Sequence, residues 1–393
     1  MGNATIQTKT KLIPLSEPSI DGNEWEYVKD CLDTNWVSSV GSYVDRFEHL
    51  VADFVGARHG IAAVNGTAAL HIALLMANVE PDDEVLVSTL TFIAPANAIR
   101  YVGAWPVLID AEPIYWQMDP QRLTDFLKLE CTWTNGTLRN KRTGRRVRAV
   151  LPVHILGHPC DMDSIIQIAR EFDLTIIEDA TESLGAHYRD SMVGHPGDVA
   201  CFSFNGNKIM TTGGGGMIVT DNDAWAARGK YLTTQAKDDP IEYLHKEIGY
   251  NYRLPNVLAA LGCAQMEQLP GFIERRRSLA AAYTTAFENV PGLKPMSEAP
   301  WARSIFWLYT ALVNEDEFGL DSRALMHRLA ERGIQSRPLW LPLHLSPINQ
   351  DLQVYGGDVA TQIQRQALSL PSSASLTPSD QDEVIAAVTS SHG

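Results

Sequence analysis

Cys201-Phe202-Ser203-Phe204-Asn205-Gly206-Asn207-Lys208-Ile209-Met210-Thr211-Thr212-Gly213-Gly214-Gly215-Gly216 places a lysine between a strand-like, serine-bearing run and four glycines. Upstream, Thr175-Ile176-Ile177-Glu178-Asp179 is an apolar run that ends in acid. A lysine in such surroundings, with a carboxylate at the end of an apolar strand, suggests a cofactor held as an imine. A phosphate loop and a solvated surface lysine are the alternatives. The residue order argues against the phosphate loop, whose lysine follows its glycines and precedes serine or threonine. Lys208 precedes its glycines, and no GxGxxG follows the first strand pattern.

Outward from this stretch, strand and helix patterns alternate. Strands are expected at Ala62–Val64, Glu84–Val87, Trp105–Asp110, Arg148–Val153, Leu174–Asp179, Val199–Phe204 and Gly216–Thr220. Helical spacing marks 22–33, 44–55, 68–76, 97–102 and 162–171. Several of these strands are apolar throughout, which is the mark of a mostly parallel α/β sheet covered on both faces. Residues 128–147 interrupt the rhythm with a basic run, Asn140-Lys141-Arg142-Thr143-Gly144-Arg145-Arg146, read as a hairpin or surface insertion. From about 250 the pattern changes. A long helix is expected over 256–287, a strand over 306–312 and helices over 322–332 and 379–391. The division expected is a large domain over 1–255, followed by a linking helix and a smaller α+β domain over 256–393.

The chain has 393 residues, 45% hydrophobic and 20% charged, as in an ordinary globular enzyme. Its formal charge of −15 disfavours nonspecific nucleic-acid binding. The five cysteines are widely spaced and include no CxxC pair, which argues against a disulfide scaffold or a structural zinc site. Met1-Gly2-Asn3-Ala4-Thr5-Ile6 lacks the basic start and apolar run of a signal peptide, and no apolar run reaches membrane-spanning length. A cytoplasmic protein with no membrane partner is expected.

Other residues suit the same chemistry. Asp179 ends an apolar strand, where open α/β sheets place ligands, and could receive a protonated ring nitrogen; helix capping with Glu182 three residues on is compatible with that. Asn65-Gly66-Thr67 sits at a strand-to-helix transition. The amides of that helix start, through Ala68, and the Thr67 hydroxyl suit a phosphate, with ordinary capping as the alternative. Phe92 follows the second strand and could stack on a ring or serve as a core aromatic. Thr67 and Ser203 for phosphate, Asp179 for a ring nitrogen, Phe92 for a ring face and Lys208 for an aldehyde carbon together describe pyridoxal phosphate. No residue pair resembles HExxH, so no metal is expected.

The chain resembles the DegT/DnrJ/EryC1/StrS sugar aminotransferases, of the aspartate-aminotransferase fold (fold type I). The resemblance rests on Asn35–Gly41, Asn65–Leu70, Thr91–Ile99, Val153–Met162, Ile177–Ala186, the lysine segment through Gly213, and Gly249–Asn256. It implies a homodimer with shared active sites, in which Asn251 reaches the cofactor phosphate of the other subunit. It implies amino transfer from L-glutamate to a nucleotide-linked keto sugar, with pyridoxamine phosphate between the two halves. Lys208 would be both Schiff-base partner and proton carrier, and Asp179 would keep the ring nitrogen protonated. The likeness is strongest to the subgroup acting on UDP-2-acetamido-2,6-dideoxy-hexos-4-ulose, toward legionaminic acid or bacillosamine, with GDP-perosamine synthases as the rival. Relatives with histidine in place of the lysine are dehydratases; Lys208 keeps the aminotransferase pattern. Many members carry glutamine where this chain has Glu182. An ionised glutamate cannot donate a hydrogen bond to a phenolate oxygen, so a shared proton is expected there. For the sugar, Trp36, Ser39, His154 and His158 are candidate contacts, and Arg253, Arg337 and His344 are candidates to orient anionic groups. A non-catalytic sugar-binding protein of the same fold is the competing class, which the lysine, aspartate and serine set disfavours.

Overall fold

The computed structural model describes residues 11–239 and 241–392. The N-terminal stretch read for a leader lies outside these. No helix among the described residues is long and apolar enough to cross a membrane.

Eight strands form the central sheet: β1 (His59–Ala63), β2 (Glu84–Ser88), β3 (Trp105–Ile109), β4 (Val147–Leu151), β5 (Thr175–Asp179), β6 (Val199–Ser203), β7 (Gly216–Thr220) and β8 (Gln353–Tyr355). Their spatial order is β1-β7-β6-β5-β4-β2-β3-β8. The run from β6 to β8 is parallel, and β7 is antiparallel to both β6 and β1. Strands β2 and β5 are buried at every position, which explains why they read as continuous apolar runs. After β2 the chain adds β3 on one side and β4 on the other. Such a reversal opens a crevice at the carboxyl ends of the strands. Asp179 and Ser203, the last residues of β5 and β6, and Thr67 and Phe92, in the segments that follow β1 and β2, come to that edge.

The 32-residue helix Asn256–Phe287 runs as the sequence pattern predicts, with Pro270 inside it. It leads to an antiparallel sheet of Leu293–Pro295, Tyr309–Val313, Ala367–Leu370 and Arg337–Pro338. The chain crosses the expected 255/256 boundary in both directions. Gln353–Tyr355 joins the large sheet beside β3. Ile13 exchanges backbone bonds with Gly333 and Gln335, and the Ser372 amide donates to the Leu15 carbonyl.

The 128–147 insertion is a hairpin of Cys131–Thr134 and Thr137–Asn140. It sits at the opposite edge of the sheet from the crevice. The buried Asn140 Nδ2 donates to Glu84 Oε2 at 2.8 Å and to Gln353 Oε1 at 2.7 Å, and Thr143 donates to Glu84 Oε1 at 2.7 Å. Arg146 is tied to Asp83. Glu84 opens β2, so these bonds cap the amino end of the sheet.

Candidate active site

The helix Gly66–Met76 starts where β1 ends. Asn65 caps it, accepting from the Ala68 amide at 2.8 Å. That bond engages Ala68, which sequence placed on the ligand. The amides of Gly66 and Thr67 precede it and have no hydrogen-bond partner among the described residues, so the free donors sit one turn position earlier than expected. Gly66 is required by close approach, because a Cβ there would lie 2.9 Å from Ser203 Cβ. Gly216, the last of the glycine run, is required by a second close approach. A Cβ on Gly216 would fall 2.5 Å from the Asn65 carbonyl oxygen and 2.9 Å from the Gly66 nitrogen. Gly216 thus lets β7 press against the helix start.

A cavity of about 300 Å³ opens in front of this helix start. Thr67, Phe92, Asp179, Thr181, Glu182, Ser203, Asn205, Asn207 and Lys208 line it, with Trp307 and Trp340 from the C-terminal part of the chain. Phe92 is 52% exposed, so it presents a face to the cavity rather than filling the core. Asp179 is buried, and its Oδ1 accepts from the Thr181 amide at 3.1 Å. Burial raises its carboxyl above the ordinary aspartate value, while the Thr181 bonds and Lys208 pull it back. The Lys208 ammonium lies 3.5 Å from Glu182 Oε1 and 4.2 Å from the centre of the Trp307 ring. Glu182 Oε2 accepts from the Leu156 amide at 2.9 Å. Burial, opposed by Lys208 and that amide, pushes the Glu182 carboxyl up to about 7.

The DegT/DnrJ/EryC1/StrS aminotransferase family model matches residues 18–389. The chain belongs to this family. The GDP-perosamine synthase of Caulobacter vibrioides is 40% identical over 380 residues, covering 96% of this chain and 97% of its own. The GDP-perosamine synthase of Escherichia coli O157:H7 is 37% identical over 368 residues, covering 93% and 95%. The solved structure of S. venezuelae DesV in complex with a ketimine intermediate superposes with a TM-score of 0.84 at 30% identity over 94% of each chain. As a DegT-family member the protein is a pyridoxal-phosphate-dependent sugar aminotransferase with the type I fold.

The donors of this aminotransferase's cavity fit that cofactor. Two free amides at a helix start and the Thr67 and Ser203 hydroxyls, which have no partner among the described residues, suit a phosphate. Asp179 offers a carboxylate where a protonated ring nitrogen would remove the cost of its burial.

Several expected sugar contacts lie elsewhere. His154 is fully buried; its Nε2 pairs with Glu178 Oε2 at 2.9 Å and its Nδ1 accepts from the Cys160 amide at 3.0 Å. His158 is buried too, with Nδ1 on the Pro159 carbonyl and Nε2 accepting from the Ala299 amide at 3.0 Å. Neither ring has a nitrogen left for a sugar. It is the backbone of their segment that shapes the site, through Leu156: its amide holds Glu182, and its carbonyl accepts from the Trp307 amide at 2.9 Å. Arg253 is taken up by Glu48 and Asp45, beside β1. Arg337 is exposed on the edge strand of the small sheet, with its guanidinium on the Ser336 carbonyl. His344 bridges the hydroxyls of Thr89 and Thr361 at 2.7 and 3.0 Å. Trp36, 56% exposed, and Ser39 lie outside the cavity of the single chain, as does the exposed Asn251.

Trp307, Trp340, Asn207 and Thr181 are lining residues that sequence reading missed. Trp307 and Trp340 stack with an interplanar angle of 6° and centroids 6.2 Å apart. Trp307 was expected in a strand over 306–312, which in fact begins at Tyr309. Phe306 has a φ of +47°, a left-handed bend immediately before Trp307 that interrupts the extended run ahead of the strand. No periodic signal marks such a bend.

The raised Glu182 carboxyl has a consequence for stability. In the cofactor-free protein the folded state keeps a proton that the unfolded chain releases near 4.5. The folded state therefore binds more protons between about 4.5 and 7, and this contribution to stability falls as pH rises through that window. Glu182→Gln removes it. The stability difference between variant and parent is expected to move in the variant's favour by roughly 2 kcal/mol from pH 4.5 to 7.5. Urea unfolding at both pH values measures this, and parallel pH profiles for the two proteins would contradict it.

Proposed function

We propose that this aminotransferase moves the amino group of L-glutamate to C4 of a nucleotide-linked 4-keto-6-deoxy sugar, UDP-2-acetamido-2,6-dideoxy-hexos-4-ulose. The observation that carries the catalytic reading is a single cavity holding Lys208, a buried Asp179 and free phosphate donors. Lys208 would hold the cofactor at its aldehyde carbon. When bound, pyridoxal phosphate supplies a ring that takes up the negative charge left as an amino acid loses its α proton. Asp179 would hold a proton on the ring nitrogen. Thr67 and Ser203 would hold the phosphate, and Phe92 would cover one ring face. The Lys208 amine would carry the α proton, with the Trp307 ring and Glu182 fixing where that amine rests. Glu182 would share a proton with the cofactor's phenolic oxygen.

The partner in this reading is a second copy of the chain. Trp36, Val37 and Val40 are exposed, as are Ile241, Tyr243, Leu244 and Ile248 in the segment leading to Asn251. Apolar exposure on this scale marks an interaction surface. A homodimer covers it and brings Asn251 to the other subunit's phosphate.

The UDP sugar is supported by the likeness of Asp179–Ser183 and Ser203–Lys208 to the enzymes of that subgroup. A second reading, GDP-4-keto-6-deoxymannose, is favoured by relatives named GDP-perosamine synthase at 40%, 37% and 35% identity. Incubation with glutamate and a panel of UDP-, GDP- and dTDP-linked 4-keto sugars, read by product mass, separates them. Amination of the UDP sugar at least tenfold faster than the others is expected. Preference for the GDP sugar would replace the first reading by the second.

A further inference from the structure

Arg276 lies on the long helix Asn256–Phe287 and is 1% exposed, the largest fully buried side chain of the described residues. No carboxylate pairs with it among those residues. Burial lowers its guanidinium to about 10, which leaves it charged at neutral pH. A buried cation without a counter-ion is costly, so what it holds in place matters. Its Nη1 donates to the Trp307 carbonyl, and its Nη2 lies 3.4 Å from Ser16 Oγ.

Both contacts lead to one atom. The Trp307 indole nitrogen donates to the Asn207 carbonyl at 2.7 Å, and Ser16 Oγ donates to the same carbonyl at 3.0 Å. That carbonyl belongs to the peptide that begins Lys208. Trp307 also lies beneath the Lys208 ammonium. Ser16 is itself tethered, since the Leu15 carbonyl accepts from the Ser372 amide and the Glu17 amide donates to Ser373 Oγ at 2.9 Å. Arg276 thus joins three remote segments around the lysine's own peptide bond.

We propose that Arg276 is a positioning residue for the reaction: it fixes the Asn207–Lys208 peptide through Trp307 and Ser16, and so sets where the Lys208 amine stands. The planar fork reaches a carbonyl and a hydroxyl at once, which an ammonium does not reproduce. A displacement of about 1 Å in a reacting group is enough to cost about 10²-fold in rate. A merely structural arginine would alter melting and leave the lysine's behaviour alone.

The test uses Arg276→Lys, Arg276→Gln, Ser16→Ala and Trp307→Phe, each loaded with cofactor. In the arginine variants the single-turnover rate with glutamate is expected to fall about 10- to 100-fold, with the glutamate KM within about threefold of the parent. Ser16→Ala and Trp307→Phe each remove one bond to the Asn207 carbonyl, and each is expected to lower the rate about 3- to 10-fold. A readout independent of turnover is competitive acetylation of Lys208 in the cofactor-free proteins across pH, read by peptide mass. Glu182 and Asp179, the charged groups that face Lys208, are unchanged in every variant. A changed Lys208 reactivity profile that accompanies the rate loss supports positioning. Folded arginine variants with parental rate and parental Lys208 reactivity overturn it. If both arginine variants fail to fold, parental behaviour in Ser16→Ala and Trp307→Phe overturns it equally.

Discussion

Lys208→Ala is expected to abolish amino transfer, lowering turnover by about 10⁴-fold or more. One side chain carries two tasks in the proposed reaction, the bond to the cofactor and the movement of the α proton, and alanine removes both. No neighbour substitutes. Among the cavity-lining residues Lys208 is the only amine or guanidinium, and Glu182 is held by the Leu156 amide. The substitution spares the fold, because Lys208 is fixed locally by its own backbone bond to the Asn205 carbonyl. Product mass after incubation with glutamate and the keto sugar measures the loss, and the imine absorbance of the bound cofactor disappears with it. Turnover within 100-fold of the parent would show that Lys208 is not the imine partner.

Asp179→Asn separates catalysis from stability. The amide oxygen still accepts from the Thr181 amide, so the turn after β5 keeps its geometry. The charge that holds a proton on the ring nitrogen is lost, and turnover is expected to fall about 10²- to 10³-fold, the scale of removing one electrostatic partner from a buried site. In the cofactor-free protein the same change relieves a buried carboxylate, whose cost shows in its raised protonation range. Melting of the cofactor-free variant is therefore expected to equal or exceed that of the parent while activity collapses. Scanning calorimetry of the cofactor-free proteins beside steady-state kinetics reads both arms. A variant that loses stability together with activity would assign Asp179 a structural role.

Much of the fold was legible because its elements carry local signals. β2 and β5 read as strands since both faces are buried, and the 256–287 helix read at its observed bounds. Asp179, Ser203, Thr67, Phe92 and Lys208 were legible because each sits next to the end of a strand pattern, and a parallel sheet gathers those ends along one edge. β8 was not. Its three residues, Gln353–Tyr355, become a strand only by pairing with β3. The histidines misled for a related reason. A histidine beside a strand end looks the same in sequence whether it faces a ligand or turns inward, and the partners that turned His154 and His158 inward, Glu178 and the Ala299 amide, are 24 and 141 residues away.

The sequence by itself determined the residues of the candidate site: a lysine, an acid at a strand end and a phosphate-ready helix start, each defined within a few residues of its own element. The tertiary structure alone decided how that lysine is held. Trp307, Trp340, Ser16 and Arg276 come from segments that share no spacing with Lys208, and a contact between remote segments leaves no periodic trace. The four glycines followed the same division. Their presence was plain in the chain, but only the packing of β7 against Asn65 and Gly66 showed that the missing side chain of Gly216 makes room for backbone.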